Sequence, residues 1–283
     1  MGKLQGLVRL VRPVNCVLMG FAVFVGVVLA GQNLSNIAWL NVAFGFLTGF
    51  ALTGASMAIN DYYDRAIDAI NEPLRPIPSR LVSPREALLL ATVLSVIGFV
   101  FAVLVSAWCL VVAVIAWVIF TTYITIGKRT GLPGNFLVSA CVGAPFIYGS
   151  VLAEDYVVLN VWFFVMMAFL ANTGREITKG IVDVEGDKTG NVKTLAVRYG
   201  EKAAAIVAVI FFISAVALTP LPLILGLVSV WFVPFVLVID VGLVVLSILL
   251  LIDHRREKAR RSKNTVLFLF VFGLLAFIFG IVL

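Results

Sequence analysis

The stretch Asn60-Asp61-Tyr62-Tyr63-Asp64-Arg65-Ala66-Ile67-Asp68 ends a long hydrophobic segment and carries four polar side chains of the kind that ligate metals. If the segment stays helical, Asn60, Asp64 and Asp68 recur at i, i+4 and i+8 and share one face, about one turn apart. Oxygen donors stacked in this way repel one another when ionised, so a positive charge must sit among them, and a divalent cation is the economical answer.

A second acidic stretch, Asp183-Val184-Glu185-Gly186-Asp187, again sets two aspartates at i, i+4. Upstream of it Glu176, Lys179 and Asp183 are spaced three and four apart, with Arg175 beside them. Two acidic faces suit two or more Mg²⁺ ions, because Mg²⁺ takes a few carboxylates together with phosphate oxygens of a ligand. The implied partner is a diphosphate, whose remaining oxygens Arg75, Lys128 and Arg129 can engage. Lys179 is a further candidate for a diphosphate or acceptor phosphate. Asn15, an amide at the start of the first apolar run, is expected to face a polar interior rather than lipid.

The elements that position these residues are membrane helices. Of 283 residues, 62% are hydrophobic and 13% charged, too apolar for a soluble domain. Apolar runs of about 17–25 residues read as transmembrane helices, and the period-2 alternation of an outer-membrane barrel is absent. Nine spans are expected, near 14–30, 37–60, 86–105, 107–126, 134–152, 157–178, 203–219, 223–251 and 264–283. The 21 Lys and Arg residues all fall at or near one side of these spans, while a loop on the other side carries Glu154 and Asp155. The positive-inside rule makes the basic side cytoplasmic, with the amino terminus and the acidic motifs inside and the carboxyl terminus outside. The formal charge of +6 then serves anionic headgroups or phosphorylated substrates and is no argument for nucleic acid.

Cys16, Cys109 and Cys141 lie in apolar runs without paired spacing, so neither a disulfide framework nor a zinc site is indicated. No P-loop or glycine-rich dinucleotide fingerprint is present, and the single histidine, His254, lies in a basic loop far in sequence from both acidic motifs. Asp240, in the middle of an expected span, has no partner legible in the sequence.

Diphosphate, Mg²⁺ and an apolar interior point to an allylic isoprenyl diphosphate: metals neutralise the leaving group and helices shield the reactive carbon from water. On these residues the sequence resembles the UbiA superfamily of intramembrane prenyltransferases. Asn60-Asp61-Tyr62-Tyr63-Asp64-(three residues)-Asp68 is similar to that family's first aspartate-rich motif and Asp183-(three residues)-Asp187 to its second. The resemblance implies one all-α domain over residues 1–283, with nine transmembrane helices around a central cavity capped on the cytoplasmic side. It implies Asn60 and Asp64 on one Mg²⁺, Asp183 and Asp187 on another, and Asp68 completing the first motif. Tyr123 and Lys128, in Tyr123-Ile-Thr-Ile-Gly-Lys128, match the Tyr and Lys that flank the diphosphate.

Within the superfamily, Asn71-Glu72-Pro73-Leu74-Arg75-Pro76-Ile77-Pro78-Ser79, the run from Arg175 to Asp187, Gly190-Asn191-Val192-Lys193-Thr194-Leu195 and Arg12-Pro13-Val14-Asn15 are most similar to the archaeal geranylgeranylglyceryl phosphate geranylgeranyltransferases. That resemblance implies transfer of a geranylgeranyl group to the free hydroxyl of geranylgeranylglyceryl phosphate, the second ether bond of archaeal lipids. The partners are then an isoprenyl diphosphate, a lipophilic phosphate-bearing acceptor and the bilayer, with no obligate protein partner evident. An aromatic acceptor, as in quinone biosynthesis, keeps the same mechanism; a cation-coupled secondary transporter is the alternative of another class. Two positions depart from the pattern: Arg80 stands where a glycine commonly follows Pro-Ser, and Gly180 where many relatives carry an acid.

Overall fold

The computed structural model describes residues 2–31, 37–190 and 192–282; Asn191, in a segment that contributes to the resemblance, lies outside them. Every regular element among the described residues is helical. In chain order these are α1 (Lys3–Val11), α2 (Pro13–Leu29), α3 (Trp39–Asn71), α4 (Pro84–Val105), α5 (Ala107–Thr125), a 3₁₀ turn (Gly127–Arg129), α6 (Leu132–Glu154) and α7 (Leu159–Val182). They continue with α8 (Val184–Thr189), α9 (Leu195–Tyr199), α10 (Glu201–Leu218), α11 (Pro220–Ile224), α12 (Phe232–Ile252) and α13 (Arg256–Val282).

Among the described residues, eight helical stretches are long and apolar enough to cross a membrane. The protein is thus an all-helical, multi-pass membrane protein. Nine spans were expected, and α7, which occupies the expected sixth, is not among the eight. Its 24 residues suffice for a crossing, but its second half carries Asn172, Thr173, Arg175, Glu176, Thr178 and Lys179. Most of that half is nevertheless buried. Polar groups in such a helix are tolerated where they face protein instead of lipid.

Three expected boundaries shift for local reasons. The first apolar run is preceded by a separate helix, α1, which ends at Arg12 in the left-handed region (φ 54°). Pro13 disfavours a helical residue before it and suits the first position of the helix that follows. The second expected span, 37–60, runs on as α3 to Asn71, straight through the acidic motif. The expected span 223–251 is divided, because α11 stops at Ile224, Gly226 adopts φ +67°, and α12 begins only at Phe232.

Packing groups the chain into two compact units. The first comprises Met1–Val27, Gln32–Thr125 and Ala144–Tyr156. Its core joins Leu10, Ala58, Ile59, Ile77, Val82, Ala87, Ala91 and Ile124. A capping box starts α4: the Glu86 amide donates to Ser83 Oγ (3.3 Å) and the Ser83 amide to Glu86 Oε2 (3.0 Å). Lys3 of α1 pairs with the same Glu86 carboxylate, fixing α1 against α4. Helices α2 and α6 touch through Gly26 and Gly149; a Cβ on Gly149 would lie 2.2 Å from the Val23 carbonyl oxygen.

The second unit comprises Val28–Gly31, Ile126–Gly143 and Val157–Leu283. Ala171, Ile177, Ile181 and Val182 of α7 pack with Ala204, Ala208 and Phe212 of α10, Leu243 and Leu250 of α12, and Ala259 and Val266 of α13. Small residues allow these helices to approach closely; Gly174 leaves a Cβ position only 2.7 Å from the Phe212 ring. A buried hydroxyl and amide cluster joins α6 to α7: Asn172 Nδ2 and Thr173 Oγ1 both contact Ser139 Oγ, at 3.1 and 2.9 Å.

Candidate metal and phosphate site

The continuation of α3 sets Asn60, Asp64 and Asp68 on one face, as the spacing predicts. Asn60 Nδ2 donates to Asp64 Oδ2 at 3.0 Å, so these two side chains present their polar ends together. Asp68 is placed differently: it is 6% exposed, and its Oδ2 accepts from Arg75 Nη1 at 2.7 Å. Asp61, the neighbour of Asn60 and hydrogen-bonded to its side chain, is 3% exposed. Its Oδ1 receives Arg12 Nη2 at 2.6 Å and lies 3.6 Å from Arg75 Nη1. Two arginines, each about a third exposed, therefore neutralise two buried aspartates of the same helix. For Arg75, burial works against the charged form, but the hydrogen bond it donates to Asp68 and the charges of Asp68, Asp61 and Glu72 outweigh it and raise its pKa.

The loop that carries Arg75 returns to α4 through a tight turn in which the Ser79 amide donates to the Arg75 carbonyl (3.0 Å) and the Arg80 amide to the Ile77 carbonyl (3.0 Å). Arg80 has φ +61°. That left-handed conformation is the one glycine adopts without strain, which gives a physical reason for the glycine expected there.

In the second unit, α7 ends at Asp183, which also begins α8. The Asp187 amide donates to the Asp183 carbonyl at 2.9 Å, so a helical turn still separates the two carboxylates despite the break. Burial first, and then the charge of Asp183, push the Asp187 carboxyl up to about 6, against the hydrogen bond from Thr194 and the charge of Lys179. Two carboxylates that resist joint ionisation are relieved by a cation between them.

The donors at both pairs are oxygen atoms, which suits a hard divalent ion. Among the described residues no three His, Cys, Asp or Glu side chains converge on one point. Paired donors of this kind fit Mg²⁺, which keeps water or phosphate oxygens in its remaining positions.

A backbone clasp holds Lys128 near the second pair. The Val192 amide donates to the Asp187 carbonyl at 2.8 Å, and the Lys193 amide to the Arg129 carbonyl at 3.2 Å. Gly131, at φ +76°, lets the chain pass so close that a Cβ there would sit 2.2 Å from the Lys193 carbonyl oxygen. The 3₁₀ turn bearing Lys128 is thereby joined to the segment that follows Asp187. Gly180 faces Thr194, with room for a Cβ at ordinary contact distance (3.5 Å).

The other expected residues are distributed as follows. Tyr123, half-buried, packs with Tyr62 against the core of the first unit. Lys179 Nζ lies 3.4 Å from Glu176 Oε2, and Arg175 Nη1 donates to Glu176 Oε1 at 2.6 Å. The Asn15 side chain is exposed, and the backbone N–H of Asn15 donates to the Arg12 carbonyl at 2.9 Å.

A family model described as the UbiA prenyltransferase family matches residues 19–282. The chain belongs to the UbiA prenyltransferase family. Among curated members it is similar to the digeranylgeranylglyceryl phosphate synthase of Methanopyrus kandleri, at 36% identity over 97% of this chain and 98% of the relative. The enzyme of the same name from Archaeoglobus fulgidus is 34% identical over 98% of this chain and 95% of the relative. A solved structure from work on digeranylgeranylglyceryl phosphate synthase in membranes superposes with a TM-score of 0.88 and 29% identity, covering 100% of this chain and 99% of the other. A UbiA homologue from Archaeoglobus fulgidus bound to GPP and Mg²⁺ shares the fold, with a TM-score of 0.71 and 17% identity over 96% of this chain and 99% of that one.

Three residues packed beside the candidate metal pairs are not evident as such from their sequence positions. Arg12 is 49 residues from Asp61 in the chain, and only its place before Pro13 hints at a special backbone. Thr194 both caps α9, accepting from the Val197 amide at 3.4 Å, and bonds to Asp187. Gly131 is one of many glycines until its positive φ and its approach to Lys193 are seen.

Proposed function

We propose that this UbiA-family prenyltransferase moves a geranylgeranyl group from its diphosphate to the free hydroxyl of geranylgeranylglyceryl phosphate. The product carries the second ether bond of an archaeal lipid. The observation that carries this reading is near full-length similarity to digeranylgeranylglyceryl phosphate synthases, together with two paired oxygen-donor motifs at helix ends.

In this reading Asn60 and Asp64 hold one Mg²⁺ and Asp183 and Asp187 another. Bound Mg²⁺ supplies neutralisation of the departing diphosphate. Asp68, engaged by Arg75, anchors the end of the first motif and can complete its donor set. Arg75, Tyr123, Lys128 and Lys179 act on the anionic substrates, with Lys128 positioned by the clasp around Gly131. Asn15, at the start of α2, serves at the substrate's approach. The bond between the allylic carbon and the diphosphate oxygen breaks, its electron pair leaving with the diphosphate. The acceptor's hydroxyl oxygen bonds to that carbon, and its proton is released.

The seventh helix supplies a ninth crossing. With every Lys and Arg on one side, the amino terminus and both motifs are then cytoplasmic and the carboxyl terminus lies outside.

The test is a comparison of acceptors with the purified protein and labelled geranylgeranyl diphosphate. Geranylgeranylglyceryl phosphate is expected to be prenylated in a Mg²⁺-dependent reaction. Product formed only with hydroxybenzoate or naphthoate acceptors would overturn the reading.

A further inference from the structure

On α7, Asn172, Glu176, Lys179 and Asp183 follow one another at i, i+4, i+7 and i+11 and so form one stripe. Arg175 stands beside Glu176 with its side chain 18% exposed. Its Nη1 is used by Glu176, but its Nε is buried with no hydrogen-bond partner among the described residues. A buried guanidinium N–H left unpaired is costly, and a guanidinium is shaped to grip an oxyanion with two donors.

Helix α13 packs against α7, with Ala259, Ser262 and Val266 buried. Lys263, next to Ser262 and half-buried, lies within electrostatic reach of Asp183, Lys179, Arg175 and Arg260. Arg256 Nη1, at the start of α13, lies 4.0 Å from Glu185 Oε2 of α8. Three cations, Arg175, Lys179 and Lys263, are thus gathered in one unit.

Among the described residues three acids share this neighbourhood. Glu176 is engaged by both Arg175 and Lys179, and Asp183 and Asp187 form the proposed metal pair. Setting Glu176 against the three cations leaves two positive charges. A phosphate monoester carries about −1.5 to −2 at neutral pH, which balances them.

We propose that Arg175, Lys179 and Lys263 form the binding site for the phosphate monoester of the acceptor. This deepens the function proposed above and rests on it. The donor's diphosphate is served by the metal-binding pairs, whereas the acceptor brings a phosphate of its own. In this site Arg175 supplies its unused Nε–H, and the two ammonium groups supply charge. The basic segment at the start of α13 thereby acquires a substrate contact at Lys263.

The test measures KM with the purified full chain for two acceptors, geranylgeranylglyceryl phosphate and the phosphate-free geranylgeranylglycerol, in Lys263→Gln and Arg175→Gln. KM for the phosphate acceptor should rise about tenfold in each, the worth of one charge-assisted hydrogen bond. KM for geranylgeranyl diphosphate, KM for the phosphate-free acceptor and the inhibition constant of inorganic diphosphate should stay within about twofold. Lys263→Arg should recover most of the loss, and the unchanged donor KM reports that the variants are folded. A parallel weakening toward geranylgeranyl diphosphate or inorganic diphosphate would assign the cluster to the donor and overturn the proposal, as would an unchanged acceptor KM. Failure of the wild-type protein to prenylate the phosphate acceptor would instead remove the function on which the proposal stands.

Discussion

Arg12 Nη2 and Asp61 Oδ1 meet at 2.6 Å, joining the break between α1 and α2 to the acidic end of α3. Asp61 is 3% exposed and Arg12 a third exposed, so the pair lies at the edge of the protein interior. A carboxylate this enclosed is tolerable because two guanidinium groups face it, Arg12 directly and Arg75 at 3.6 Å.

Replacing Arg12 by alanine should therefore destabilise the protein. Breaking a fully buried pair costs about 3–5 kcal/mol, and Arg75 retains part of the compensation, so a loss of about 2–3 kcal/mol is expected. Thermal unfolding of Arg12→Ala in detergent checks it. An unchanged Tm would show that Asp61 does not depend on Arg12.

Arg80→Gly is expected to act in the opposite direction. A non-glycine residue in the left-handed region costs about 1–2 kcal/mol, and Arg80 holds φ +61°. Glycine also gains freedom when unfolded, so the net stabilisation should be about 0.5–1 kcal/mol, read as a higher Tm. A lower Tm would mean that the Arg80 side chain makes a contact worth more than the strain.

Much of this arrangement was legible in the spacing of residues, and the exceptions share a cause. The helical run through Asn60, Asp64 and Asp68 follows from i, i+4 periodicity, and α3 obeys it. Asp183 and Asp187 keep their one-turn separation although a helix boundary falls between them, because one backbone hydrogen bond still spans the turn. What spacing cannot show is which charge meets which across distant segments. Asp68 shares a face with Asn60 yet is engaged by Arg75, and Asp61 is enclosed by Arg12 from the break between α1 and α2. The sixth expected span does form a helix, α7, which runs to Val182.

The clasp at Gly131 gives a prediction about activity more than about folding. A Cβ there would fall 2.2 Å from the Lys193 carbonyl oxygen while φ is +76°, so neither strain nor clash is avoidable in place. Gly131→Ala should displace the turn bearing Lys128 from the segment after Asp187. A misplacement of about 1 Å typically costs about 100-fold, so kcat/KM should fall by that order while membrane insertion persists. Steady-state kinetics on the detergent-purified variant, with expression as the control, decides it; kinetics like the wild type would show that the clasp does not position the site.

Diphosphate release from geranylgeranyl diphosphate in the presence of acceptor tests whether Asn60–Asp64 and Asp183–Asp187 bind Mg²⁺ for diphosphate departure. Release by the wild-type protein should require Mg²⁺ and stop on chelation. Asp64→Asn and Asp183→Asn should each lose about 100-fold or more at saturating substrate, as expected when a group that stabilises the leaving charge is removed. Wild-type rates in both variants, or release that persists in a chelator, would contradict the account.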